Sequence, residues 1–122
     1  MRELPHRVRS NLVRTVIETA IFQRRAEALL SADDHVGVLA YLSAHAWEGD
    51  VIPGTSGLRK LRIAASGRGK RGGARIIYYV IDDDAPIYAL AVYAKNEKAD
   101  LTATEKKALT VLAAALKREH SA

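Results

Sequence analysis

The sequence predicts an α+β domain: a small, mainly antiparallel sheet packed by an N-terminal αα-hairpin and a C-terminal helix, in the order βααβββα. Apolar residues recur at helical spacing between Thr19 and Leu42. Three alternating, β-branched segments follow between Leu58 and Tyr93, and a threonine-capped amphipathic stretch closes the chain. Helices grouped ahead of strands, rather than alternating with them, mark an α+β arrangement. A chain of 122 residues, 48% hydrophobic, suits one domain with a real core.

Leu12 to Ile17 (LVRTVI) has the branching and alternation of a first strand. Beyond Thr19, the spacing of Ile21, Phe22, Ala26, Leu29 and Leu30 predicts a helix to about Leu30. Ser31 or Asp33 can cap a second helix whose apolar face is Val36, Leu39, Ala40 and Leu42. Trp47 to Gly57 reads as a loop, because Gly49, Pro53, Gly54 and Gly57 punctuate it. Strands are expected at Leu58–Ala64, Ala74–Ile81 and Ile87–Tyr93, the last two joined by the turn residues Asp82, Asp83, Asp84, Ala85 and Pro86. Thr102 or Thr104 caps the closing helix, Glu105 suits its amino end, and Leu109, Leu112, Ala113 and Leu116 form its stripe. Residues 1–11 read as a flexible basic tail, residues 12–122 as the single domain, and the helices are expected against one sheet face.

The formal net charge is +5 and the pI about 9.7, a balance that favours polyanionic partners. With no cysteine, disulfides and thiolate metal sites are excluded, and a cytoplasmic setting is expected. No run approaches the ~18 apolar residues of a membrane span. Between Gly57 and Tyr79 stand Arg59, Lys60, Arg62, Arg68, Lys70, Arg71 and Arg75, with no Asp or Glu among them. Such a segment repels itself unless water or an anion answers it, and phosphate is the usual anion; a merely solvated hairpin is the alternative. Strand alternation puts Lys60 and Arg62 on one side and Leu61 and Ile63 on the other, with Arg75 sharing a side with Ile77 and Tyr79. The hairpin can therefore bring Arg75 beside Lys60 or Arg62, on an open face away from the helices.

Other signals fail. Residues 67–72 spell G-x-G-x-x-G, but a strand follows where a dinucleotide site needs a helix, so no nucleotide cofactor is expected. His6, His35, His45 and His120 lack ligand spacing, and the three aspartates before Pro86 suit a turn, so no metal is expected. Chemistry, if present, falls to Lys, Arg and Tyr.

GxGKRGGARIIYY at Gly67–Tyr79 and YAKNEKADLT at Tyr93–Thr102, with the opening VIETAIFQRRAEALLS, resemble the HigB-like branch of the RelE/ParE toxin superfamily. The likeness runs from about Val13 to Leu116. It implies the toxin of a type II toxin–antitoxin pair that cuts mRNA on the ribosome, partnered by a HigA-like or RelB-like antitoxin. The family's basic site positions fall on Lys60, Arg62, Arg75 and Lys95. Shorter RelE proteins carry an arginine just after the position of Lys95, where this chain has Asn96. They also carry a tyrosine further on, where this chain has helix, which leaves Tyr93 or Tyr79 as substitutes.

RNA is cut when its own 2′-hydroxyl attacks the adjacent phosphate. That needs removal of the 2′ proton, neutralisation of the developing charge and protonation of the 5′ oxygen. Lys60 or Lys95 suits the first task, Arg62 and Arg75 the second, and a lysine or tyrosine the third. Tyr79 or Tyr93 can alternatively stack on a splayed base, while Arg59, Arg68, Lys70 and Arg71 suit RNA phosphates. The competing readings are a ParE-like topoisomerase inhibitor and a non-catalytic basic RNA-binding module.

Overall fold

The structure is a computed structural model that describes residues 14–64 and 73–121. The tail expected at residues 1–11, the start of the first strand, and Arg68, Lys70 and Arg71 lie outside the described residues.

The first strand, β1, is short, Val16–Glu18. Thr19 ends it and caps helix α1 (Ala20–Leu29): its Oγ1 accepts from the Phe22 N–H at 3.0 Å and donates to the Leu90 carbonyl at 3.2 Å. One hydroxyl thus starts the helix and ties it to the sheet. Phe22, Ala26 and Leu29 are its buried face. Ser31 caps helix α2 (Ala32–Ala44) by accepting from the Asp34 N–H at 3.0 Å, and Asp33 and Asp34 suit the positive helix end. The buried residues of α2 are Val38 and Leu42, with Leu39 partly buried. Val36 is 66% exposed and Ala40 is exposed, so the expected face is corrected by about one residue. Residues 36–42 are apolar on every side, so spacing alone does not fix the buried face, and the His35–Glu18 pair (2.6 Å) ties α2 to β1.

The segment expected to be all loop holds a short edge strand, β2 (Asp50–Val51), paired with β3 (Arg59–Ile63). Then come β4 (Ala74–Val80), β5 (Ile87–Ala94) and helix α3 (Ala103–Ser121). The sheet order is β1-β5-β4-β3-β2, antiparallel except for the parallel β1–β5 pair. Between Ile77↔Ala91 and Tyr78↔Ala89 the register shifts, leaving Leu90 as an extra residue. This bulge turns Leu90 and Ala91 towards the same cluster.

Two apolar clusters sandwich the sheet. Leu61, Ile63, Ile76, Tyr78 and Val92 pack with the αα-hairpin. Ile77, Tyr79, Leu90 and Tyr93 pack on the other side with Leu101, Leu109 and Ala113. The expectation that all helices share one face is therefore corrected: α3 covers the face opposite the hairpin. Its start is the anticipated capping box, Thr102 Oγ1 accepting from the Glu105 N–H (3.1 Å) and Glu105 Oε1 from the Thr102 N–H (2.8 Å). Among the described residues, no helix is long and apolar enough to cross a membrane.

Candidate active site

Strand register assembles the cations. Arg62 stands directly opposite Arg75 across β3–β4, and Arg75 stands opposite Tyr93 across β4–β5. Lys60 lies two residues from Arg62 on the same side of β3. Lys60, Arg62, Arg75 and Tyr93 thus form one patch over three strands. Arg62 is exposed and Arg75 half-buried. Like charges directly opposite in a sheet are destabilising, so two facing arginines favour an anion between or above them.

The face is not open, as the sequence led us to expect. Residues 98–105 and α3 roof its β5 side. Lys98 Nζ sits 5.3 Å from the Tyr93 ring centroid and pairs with Glu105 at 2.5 Å. Asp100 Oδ1 accepts from the Leu101 N–H at 2.8 Å and lies 3.6 Å from Lys60 Nζ. That backbone N–H first, and then Lys60 and Lys106, hold the Asp100 carboxyl below its usual range, so it is charged at neutral pH. Leu101, 8% exposed, anchors the segment in the α3-side cluster.

Tyr93 is 2% exposed, and its hydroxyl is buried without a hydrogen-bond partner. Burial chiefly, and then the charge of Asp100, push that hydroxyl above its ordinary value, with Arg75 opposing. It stays protonated at neutral pH, as a proton donor must. Such an orphaned group costs stability and calls for a functional account.

Of the other expected site residues, Tyr79 is 5% exposed and belongs to the α3-side core. With Tyr93 equally enclosed, neither ring offers a face to an RNA base, which corrects the stacking expectation. Lys95 is exposed in the turn after β5, its N–H donating to the Gly73 carbonyl at 3.0 Å beside the mouth of the β3–β4 hairpin. Arg59 faces the opposite side from Lys60: it donates to the carbonyls of Trp47 (3.0 Å) and Gly49 (2.8 Å) and stacks 5.0 Å over the Trp47 ring. It staples the β2 hairpin rather than joining the patch. Lys98 and Asp100 were missed as site residues. Both stand within YAKNEKADLT, where an apolar Leu101 directly before a helix cap was the signal that the segment folds back on the sheet.

His35, His45 and His120 each pair with one carboxylate, and among the described residues no three His, Asp or Glu come together as a metal site. Asp82 closes the turn as expected, Oδ1 accepting from the Asp84 and Ala85 N–H groups at 2.8 Å each.

The family model for the RelE toxin of the RelE/RelB toxin–antitoxin system matches residues 14–122. The chain belongs to the RelE toxin family. Among solved structures it is similar to the E. coli toxin RelE, an arginine-to-alanine double mutant in the free state. The TM-score is 0.52 and the identity 16%, covering 70% of this chain and 87% of that one. At that identity the likeness concerns the fold, and it extends to the α+β arrangement described above. As a RelE-family toxin the protein is the toxin half of a toxin–antitoxin system, for which an antitoxin is the partner.

Proposed function

We propose that this RelE-family toxin is a ribosome-dependent endoribonuclease of the HigB-like branch, cutting translated mRNA in the cytoplasm. The row Arg62–Arg75–Tyr93, with Lys60 beside it, is the observation that carries the reading. It combines fixed positive charge, where a phosphorane develops negative charge, with a protonated hydroxyl on the next strand.

In this reading Arg62 and Arg75 clamp the scissile phosphate, since guanidinium forks match phosphate oxygens in two-point contacts. Lys60 adds its charge to the clamp, the unprotonated amine of Lys95 takes the 2′-hydroxyl proton as that oxygen attacks phosphorus, and Tyr93, once the Lys98–Asp100 segment over it gives way, returns a proton to the departing 5′ oxygen. The products are a 2′,3′-cyclic phosphate and a 5′-hydroxyl. A site of lysines and arginines with one buried tyrosine has modest acid–base machinery of its own. The ribosome supplies the remainder by holding mRNA in an attacking geometry. A RelB-like or HigA-like antitoxin is the inhibitor, drawn to the basic domain by complementary charge.

Tyr93→Phe separates chemistry from folding. Removing a buried hydroxyl that has no partner should leave stability unchanged or raise it by up to about 1 kcal/mol. Loss of a general acid should slow single-turnover cleavage by ~10² or more. Cleavage at the wild-type rate would remove Tyr93 from the mechanism; a large fall in melting temperature would make its hydroxyl structural.

A further inference from the structure

We propose that the Asp100 carboxylate is a built-in competitor for the phosphate position at Lys60, and that it sets how strongly the toxin holds RNA that nothing else presents to it. The proposal rests on the phosphate reading of the Lys60–Arg62–Arg75 patch.

Carboxylate and phosphate oxygens take the same donors, and Asp100 Oδ1 already stands 3.6 Å from Lys60 Nζ. A phosphate that touches this ammonium must displace the carboxylate or endure its repulsion. The surrounding chain makes displacement easy and reversible. Leu101 is buried and Thr102 starts the α3 capping box, so the backbone directly after Asp100 stays in place. The Asp100 side chain is 49% exposed and has room to swing into water. What it gives up is one partly exposed ion pair, the attraction of Lys106 and its bond to the neighbouring Leu101 N–H.

Exposed pairs of this kind are weak, worth about two- to fivefold in an equilibrium. RNA held on a ribosome, at high effective concentration, overcomes that readily. Loose RNA, met through few contacts, does not. Asp100 is thus a specificity-determining residue: it lowers affinity for free RNA more than it lowers use of the presented substrate.

Asp100→Asn tests this, because asparagine keeps the shape and the Oδ1 acceptor for Leu101 while losing the charge. Binding of a short, uncleavable 2′-O-methyl single-stranded RNA is measured by fluorescence anisotropy at fixed salt, with melting temperature recorded alongside. The proteins are the unsubstituted chain, Asp100→Asn, Lys60→Met and the double variant. The expected result is about two- to fivefold tighter binding by Asp100→Asn at a melting temperature lowered by no more than a few degrees, weaker binding by Lys60→Met, and no gain from Asp100→Asn in the Lys60→Met background. If Lys60→Met weakens binding but Asp100→Asn does not tighten it, the proposal fails and the phosphate reading stands. Equal tightening with and without Lys60 would show a diffuse field effect and would also overturn it. Unchanged binding by Lys60→Met would overturn both.

Discussion

Arg75→Ala should remain folded and soluble while its mRNA cleavage slows by ~10²–10³. Removing one donor aimed at developing negative charge typically costs that much, about 3–4 kcal/mol of transition-state stabilisation. Arg75 is central in the row, opposite Arg62 on one strand and Tyr93 on another, so no neighbour occupies its position. It is half-buried, lies outside both apolar clusters and donates to the Ala74 carbonyl at 3.3 Å, so the apolar core stays packed without it. Its removal relieves the repulsion with Arg62 but also gives up its own bonds, so melting temperature should change by only a few degrees. Single-turnover cleavage on saturating ribosomes is the measurement, with circular dichroism for the fold. A folded variant that cuts at the wild-type rate would exclude Arg75 from the site.

Gly73→Ala should have the largest effect on stability. Gly73 has φ +71°, in the left-handed region, and a Cβ there would stand 1.9 Å from the Ile63 carbonyl oxygen and 2.9 Å from its carbon. The left-handed conformation alone costs about 1–2 kcal/mol for alanine. The overlap is with backbone, which cannot rotate aside, so β3 and β4 must part at the very end that carries Arg62 and Arg75. Gly73 also accepts from the Lys95 N–H, so β5 is disturbed as well. The total loss should be about 3–4 kcal/mol, a drop of roughly 12 °C or more in melting temperature. Gly54→Ala is the control: φ there is +76°, yet nothing lies within 4 Å of the added carbon, so only the conformational cost of about 1–2 kcal/mol remains. Equal melting temperatures for the two variants would show that the close approach at Gly73 has no energetic weight.

Much of this was legible in the sequence because it depends on local rules. Ser31 and Thr102 announced their helices through side-chain oxygens placed to accept from the first free N–H groups. Period-two alternation put Leu61 and Ile63 on the hairpin side and Lys60, Arg62 and Arg75 on the other, which is where they lie. What escaped was non-local. Which face α3 covers depends on packing between elements distant in the chain, so the patch was expected to be open when its β5 side is roofed. The bulge at Leu90 leaves no local sequence mark. The strand Asp50–Val51 is too short for any pattern, and its partner is found across a turn rich in glycine. Arg59 looked like one more cation of the cluster, but it falls on the opposite side of β3, where the carbonyls of Trp47 and Gly49 take its donors. Lys98 and Asp100 gain their places only because buried Leu101 folds the chain back over Tyr93.

The central claim, cleavage of translated mRNA by the Lys60–Arg62–Arg75–Tyr93 patch, is tested most directly by mapping mRNA ends in a translating extract after addition of the purified toxin. The account predicts new ends within the translated region, carrying 2′,3′-cyclic phosphate and 5′-hydroxyl groups. They should be absent when ribosomes are kept off the message and strongly reduced with Arg75→Ala. Intact mRNA in the presence of active toxin, with growth arrest traced instead to topoisomerase inhibition or to RNA binding alone, would contradict it.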